Sequence, residues 1–152
     1  MPYEQTPVSV GKSQEQIAKL LGKFKVKGHR FTSLPSEGTL EFVREVDEKQ
    51  HIPYRITVRP KINPAYISTS QWDRAERQVW RVCYCWLKAK LEAIDFGLVE
   101  FEQDFLPYML VADGQGRQTT VDALIFERLA NRLSPSKDDP FGGMKVLPPP
   151  AP

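Results

Sequence analysis

Cysteine and histidine are scarce in this sequence, since the 152-residue chain contains only two of each. Cys83 and Cys85 are separated by one residue within a predicted helix, where side chains two positions apart point in nearly opposite directions. They therefore cannot share a zinc ion or form a local disulfide bond, and His29 and His51 lack metal-ligand spacing. We predict no metal site and no cofactor, and we expect at least one cysteine to be buried as a small apolar residue.

Long apolar runs are also missing. The longest one has six residues, from Val82 to Leu87, whereas a helix that spans a bilayer needs about 20. The amino end has no basic segment followed by an apolar one, which a secretory signal requires. Because hydrophobic residues make up 41% of the chain, as in ordinary globular domains, we expect one domain in the cytoplasm and no membrane partner.

Fingerprints of catalysis are absent as well. The sequence contains no glycine-rich phosphate loop, no serine nucleophile elbow and no paired-histidine motif. Glu100, Glu102 and Asp104 alternate, and on a strand their carboxylates would share one face. The apolar residues around them instead favour a helix, on which these three side chains scatter. We therefore predict that the protein is not an enzyme.

What the sequence does contain is apolar periodicity, which predicts a first helix and three strands. Ser13 is typical of an N-cap, because Gln16 stands three positions on, and the helix is expected over 14–24. Turn-forming residues separate three strand candidates, which are 29–34, 38–46 and 51–59. Their short connections predict an antiparallel meander.

The strongest element is a helix over 70–96, which contains no glycine or proline. A shorter helix is predicted over 98–110, where Pro107 bends or ends it. After a turn, Thr119 with Asp122 is expected to open a last helix. The sequence thus predicts an α+β fold, in which a three-stranded antiparallel meander packs on a long helix in the order α-β-β-β-α-α-α.

Composition divides the chain into three parts. Residues 1–12 contain two prolines and no apolar periodicity, and we expect them to form an extended lead-in. The single α+β domain is predicted over 13–133. Six prolines among residues 134–152 exclude regular structure there, so we predict a flexible proline-rich tail.

Positive charge is concentrated in the first two thirds of the chain. Residues 1–97 carry 16 Lys and Arg against 11 Asp and Glu, whereas residues 98–152 carry 5 against 8. On the long helix, basic residues and a tyrosine recur every three or four positions, which places them on one face, and the third strand adds two arginines. The predicted nucleic-acid-binding residues are Arg55, Arg59, Arg74, Arg77, Arg81, Tyr84 and Lys88.

In this hypothesis the two groups of basic residues form one cationic surface. Their side chains contact the phosphates of DNA or RNA, and Tyr84 stacks on a base. The alternative for the helical residues is an ordinary solvated face, because Asp73 precedes Arg77 by four residues and Glu92 follows Lys88 by four.

Three tryptophans on the long helix support a different hypothesis. Trp72, Trp80 and Trp86 are predicted partner-binding residues, because tryptophan is enriched at the energetic centres of protein interfaces. The predicted function is then a protein-interaction module, with self-association as another use of the same surface. Three core tryptophans are the alternative.

Several segments carry a resemblance to known proteins. The run from Glu76 to Ile94, then Phe101 to Tyr108 and Asp113-Gly114, with the strand around Tyr54-Arg55-Ile56, resembles small bacteriophage and prophage proteins over about residues 13–125. The resemblance implies a mobile-element origin and the cytoplasm of a host cell, and it assigns no catalytic residue. Together with this origin, the basic residues predict a non-enzymatic phage accessory protein that binds nucleic acid, and the tryptophans predict, as the alternative, an interaction module such as an inhibitor of a host enzyme or defence complex.

The predicted order of elements is also similar to two nucleic-acid-binding architectures. Double-stranded-RNA-binding domains share the helix, three strands and second helix, but their second helix opens with a lysine cluster. Here that position reads Ser70-Gln71-Trp72-Asp73-Arg74, which is a departure from their pattern. Phage single-strand annealing proteins likewise place a long helix against an antiparallel hairpin or meander, a similarity of topology alone.

Overall fold

Residues 2–130, apart from the side chain of Pro64, are described by a computed structural model of the chain. The elements are, in chain order, α1 (Val10–Gly22), β1 (Val26–Ser33), β2 (Gly38–Asp47), β3 (Gln50–Val58), α2 (Thr69–Phe96), α3 (Phe101–Asp104), β4 (Leu110–Ala112), β5 (Gln118–Thr120) and α4 (Val121–Ala130), with 3₁₀ turns at Pro64–Tyr66 and Leu106–Tyr108. The predicted α+β class is confirmed, and the tail predicted over 134–152 lies outside the described residues.

The first three strands form an antiparallel sheet in the order β1-β2-β3, so the predicted meander is confirmed. Side chains alternate between two faces along each strand. The inner face carries the apolar set, which is Phe31, Leu40, Phe42, Tyr54, Ile56 and Val58. The other face, called the outer face below, carries the intervening polar residues.

Helix α2 packs on the inner face of the sheet. Its buried residues are Trp80, Cys83, Leu87 and Leu91, a spacing of three or four that forms one stripe along the helix. Helix α1 adds Ile17 and Leu21 to the same core, and the segment around α3 adds Phe101 and Phe105, whose rings stack with centres 4.4 Å apart. The buried Cys83 agrees with the prediction of a small apolar residue, and burial raises the pKa of its thiol to about 12.

Local capping chemistry sets the ends of α2. The Ser68 side chain accepts a hydrogen bond from the backbone of Gln71, whose own side chain accepts one from the backbone of Ser68. At the other end Gly97 adopts a left-handed conformation with φ of 87°, which favours glycine. No helix among residues 2–130 has the length and apolar content needed to cross a bilayer.

Two predicted helix starts are wrong. Helix α1 is capped by Ser9, which accepts a hydrogen bond from the Lys12 N–H, while Ser13 lies buried inside the helix. Val10 packs against the core, so the apolar surface of the helix begins earlier than the predicted lead-in allowed. Thr119 does not cap α4 but belongs to β5, which pairs with β4 in a hairpin that the sequence pattern missed. Strands of three residues are too short to show a period of two.

Candidate interaction surfaces

The predicted basic residues of β3 and α2 do not form one continuous group. Arg55 lies between Tyr54 and Ile56 on β3, so alternation places it on the outer face, and Arg59 continues that face beyond Val58. Helix α2, which carries the other basic residues, covers the inner face. The prediction of one cationic surface that contains both groups is therefore wrong, because the sheet separates Arg55 from α2. Arg59 lines the outer depression and also a pocket beside Ala75 and Gln78 of α2.

On the outer face, carboxylates accompany the arginines. Arg30 and Arg55 both donate to Glu41, with nitrogen-to-oxygen distances of 2.7 and 3.3 Å. Arg59 donates to Glu37 at 2.7 Å. Partial burial acts to raise the pKa of Glu41, but the hydrogen bonds from Arg30 and Arg55 outweigh it and lower that pKa below its ordinary value. The outer face is thus a surface of mixed charge.

The outer face also forms an open depression. One part, of about 590 Å³, is lined by Thr32, Thr39 and Thr57 together with the ion-paired arginines. A second part, of about 350 Å³, shares Arg30 and Glu41 with the first and is bounded by Leu110 and Gln118 of the β4–β5 hairpin. The aromatic residues that line the second part are His29, Phe42 and Tyr54, and the rings of Phe42 and Tyr54 belong to the core, where no base can stack on them.

On α2, neighbouring elements cover the middle of the predicted basic stripe. The Arg81 guanidinium donates to Gln16 of α1 and lies 4.4 Å from the centre of the Tyr84 ring, which itself packs against the core. Arg77 is half-buried, whereas Arg74 and Lys88 at the two ends of the stripe are exposed. Because Arg81 and the core occupy its surroundings, Tyr84 is not a free stacking platform.

The three tryptophans are largely internal. Trp80 is 2% exposed and meets Phe31 edge to face, with ring centres 5.5 Å apart. Trp86 is half-buried against Tyr108, and Trp72 is half-buried above Trp80 in the wall of a small cavity. Trp80 is therefore a core tryptophan, and its prediction as a partner-binding residue is wrong, because it offers no side-chain surface to a partner.

Two of the three acidic residues that the sequence singled out form ion pairs. Glu102 pairs with Arg44, and Asp104 pairs with Lys90 at 2.9 Å. Both lie on the short helix α3, so the helical interpretation of these acidic residues is confirmed. The predicted bounds of 98–110 are wrong, because the helix covers only Phe101–Asp104, a 3₁₀ turn with Pro107 follows it, and β4 begins at Leu110. Within residues 2–130, His, Cys, Asp and Glu side chains form no group of three or more that could hold a metal ion.

The exposed apolar side chains of α4 were not found by sequence reasoning. In α4, Ile125 is 46% exposed, Phe126 74% and Leu129 40%, and none of the residues of this helix is buried. Elsewhere Phe96 and Leu98 project at the end of α2, with exposures of 88% and 77%. The available signal was the run from Leu124 to Phe126, because three consecutive apolar residues on a helix cannot all face one core.

Comparisons with known proteins found no relative of this chain. No family model, no curated protein and no solved structure matches the chain. The resemblance to small phage and prophage proteins therefore stays a prediction. Function has to be inferred from what the exposed residues can bind.

Proposed function

We propose that the protein is a non-enzymatic protein-interaction module that binds a partner protein through α4. The observation that carries this proposal is the apolar surface formed by Ile125, Phe126 and Leu129, which no element within residues 2–130 covers. Contiguous apolar surface on a folded domain marks binding sites, and burial of a Phe or Leu side chain contributes about 1.5–3 kcal/mol. The docking surface thus lies on α4 and not on the tryptophan-rich helix.

The packing of α4 supports a binding role for this helix. Within the described part of the chain it packs mainly on the Leu106–Tyr108 turn and β5, and it contributes no residue to the core cluster there. A helix with so little internal packing gains stability from a partner that covers its free side. In the phage setting that the resemblance implies, a module of this kind would act in the host cytoplasm, for example as an inhibitor of a host enzyme or defence complex.

The test compares the wild-type protein with Phe126→Ser. As a matched control, Phe96→Ser makes the same change at an exposed phenylalanine on α2. We expect affinity capture with quantitative mass spectrometry to recover a partner protein with wild type and with Phe96→Ser. The amount recovered with Phe126→Ser should be lower by about tenfold or more. Equal recovery by all three proteins, or recovery by none, would contradict the proposal.

Sedimentation equilibrium tests whether the α4 surface instead binds a second copy of the chain. A dimer that Phe126→Ser dissociates would show that the occupant of α4 is a second copy of the chain. A wild-type protein that stays monomeric leaves a different protein as the occupant.

We propose nucleic-acid binding as a second candidate function, supported by the exposed positions of Arg74 and Lys88 on α2. Filter binding across a salt series tests it, because affinity that depends on phosphate contacts falls steeply between about 50 and 200 mM salt. Two double variants, Arg74→Ala with Lys88→Ala and Arg55→Ala with Arg59→Ala, report which side of the sheet is used. Affinity that is flat with salt, or unchanged in both double variants, would contradict this candidate.

A further inference from the structure

Strand β1 has an open edge. The Leu34 N–H donates to the Glu37 carbonyl at 2.8 Å, which makes these two residues a hydrogen-bonded pair beside the turn. Hydrogen-bonded pairs alternate along an antiparallel ladder, so Arg30 and Thr32 bond to β2. The residues between them direct their backbone N–H and C=O groups away from the sheet. These residues are His29, Phe31 and Ser33.

The opposite edge of the sheet is covered in part. Tyr54 of β3 forms a β-bridge with Met109, and β4 packs beside β3. At the β1 edge, by contrast, no other element within residues 2–130 bonds to the backbone of His29, Phe31 or Ser33. An unpaired edge is a template for an added strand.

The positive charge around this edge favours an added strand that carries acidic residues. Residues 16–36 contain five Lys and Arg and no Asp or Glu. The side chains of Lys27 and Arg30 remain 62% and 71% exposed, although each contacts a glutamate of β2. A second copy would bring two such basic segments together, which like charges on adjacent strands disfavour.

We propose that the β1 edge binds an extended acidic peptide segment of a partner protein as a fourth strand. The outward backbone groups of β1 supply the main-chain hydrogen bonds, as in other cases of strand addition. Lys27 and Arg30 contact carboxylates on the outer face, while His29 and Phe31 pack against apolar side chains on the inner face. Acidic and apolar residues therefore alternate in the bound segment. This site is separate from α4 and does not depend on the function proposed for that helix.

The experiment uses a fluorescently labelled, capped octapeptide in which Glu and Val alternate, and measures binding to the full chain by anisotropy. The main-chain contacts are tested by His29→Pro, which removes an outward N–H and leaves the bonds between β1 and β2 in place. Gly28 precedes this position and tolerates the steric demand of a proline. His29→Ala is the matched control, because it removes the side chain and keeps the N–H.

We expect His29→Pro to weaken binding by about tenfold or more, and His29→Ala to change it by less than about threefold. The charge contacts are tested by Lys27→Glu with Arg30→Glu, which should reverse the preference from the Glu-Val peptide to a Lys-Val peptide. The proposal is overturned if the wild-type protein binds the Glu-Val and Lys-Val peptides equally, or if it binds neither at about 1 mM peptide. It is also overturned if His29→Pro binds the Glu-Val peptide with the affinity of wild type.

Hydrogen exchange of the wild-type protein keeps the proposal testable if His29→Pro fails to fold. On addition of the Glu-Val peptide, the amides of His29, Phe31 and Ser33 should become protected, because they gain acceptors. Exchange that stays fast at all three amides would overturn the proposal. An octathymidylate in place of the peptide serves as a polyanion without a peptide backbone, and protection of the same three amides by it would overturn strand pairing.

Discussion

The two faces of the three-stranded sheet are built from the same strands but differ in chemistry. On the inner face, Phe42 and Tyr54 stack with ring centres 5.1 Å apart and are almost fully buried. One position along each strand, Glu41 and Arg55 form an ion pair at 3.3 Å on the outer face. The comparison shows that alternation allows β2 and β3 to hold the core on one side and to present charged groups on the other.

This division has an energetic consequence. Burial of apolar surface scales with the area removed from water, and aromatic side chains remove the most. Ion pairs on a solvated face contribute little, because water screens them and the long side chains lose conformational entropy. Substitutions on the inner face should therefore lower stability far more than substitutions one residue away.

The largest effect is expected for Phe42→Ala. This change removes a ring that contacts Tyr54, Phe101 and Phe105, and it should lower the free energy of unfolding by about 3–5 kcal/mol. Its neighbour Val43 lies on the outer face, so Val43→Ala is the control and should cost less than about 1 kcal/mol. Chemical denaturation measures both. Similar losses for the two variants would abolish the distinction between the faces.

A smaller effect is expected where the backbone of the sheet approaches α2. A Cβ atom at Gly38 would lie 2.8 Å from Cζ2 of Trp80, so Gly38→Ala should destabilise by about 1–3 kcal/mol through overpacking. At Gly28, on β1, a Cβ atom would meet nothing within 4 Å. Gly28→Ala should therefore be neutral or stabilising by up to about 1 kcal/mol, as thermal unfolding can show. A neutral Gly38→Ala would mean that Trp80 can move aside.

Much of this fold could be predicted from the sequence because its signals are local. The alternation of Tyr54, Arg55 and Ile56 gives the strand and its two faces without knowledge of any neighbour. The Ser68 and Gly97 caps are likewise chosen by residues within a few positions. Even the separation of Arg55 from α2 follows from alternation, since the helix must cover the apolar face and leaves the arginine on the other.

Other features depend on contacts that sequence spacing does not contain. The pairing of Glu41 with both Arg30 and Arg55 needs the register of three strands, which places these residues opposite one another. The run from Leu124 to Phe126 indicates that some apolar side chain of α4 is exposed, but which one depends on the element that covers the helix. The candidate surfaces were therefore less predictable than the elements that hold them.

The next effect, on the outer face, is a dependence on pH. Because the folded pKa of Glu41 is below its ordinary value of 4.5, its charged contacts stabilise the protein above that pH and are lost as the pH falls through the folded pKa. Glu41→Gln should lower stability by about 1 kcal/mol at neutral pH, with a smaller loss in acid. Urea denaturation between neutral pH and about pH 3 gives the free energy of unfolding of both proteins at each pH. A gap between wild type and Glu41→Gln that stays constant with pH would argue against the lowered pKa of Glu41.

The smallest effect is expected for Arg59→Ala on the outer face, with Arg44→Ala on the inner side of β2 as its contrast. The Arg59 side chain is 69% exposed and pairs with Glu37, so Arg59→Ala should cost less than about 0.5 kcal/mol. Arg44 lies on the inner side of β2, where its side chain is 15% exposed, donates to the Phe24 carbonyl and lies 4.3 Å from the Phe101 ring centre. Arg44→Ala should cost about 2–4 kcal/mol, because it leaves Glu102 and a carbonyl without their donor and removes packed surface. If the two variants instead unfold at the same denaturant concentration, the two faces do not differ in how much their arginines stabilise the fold. The contrast between the faces then holds for apolar residues alone.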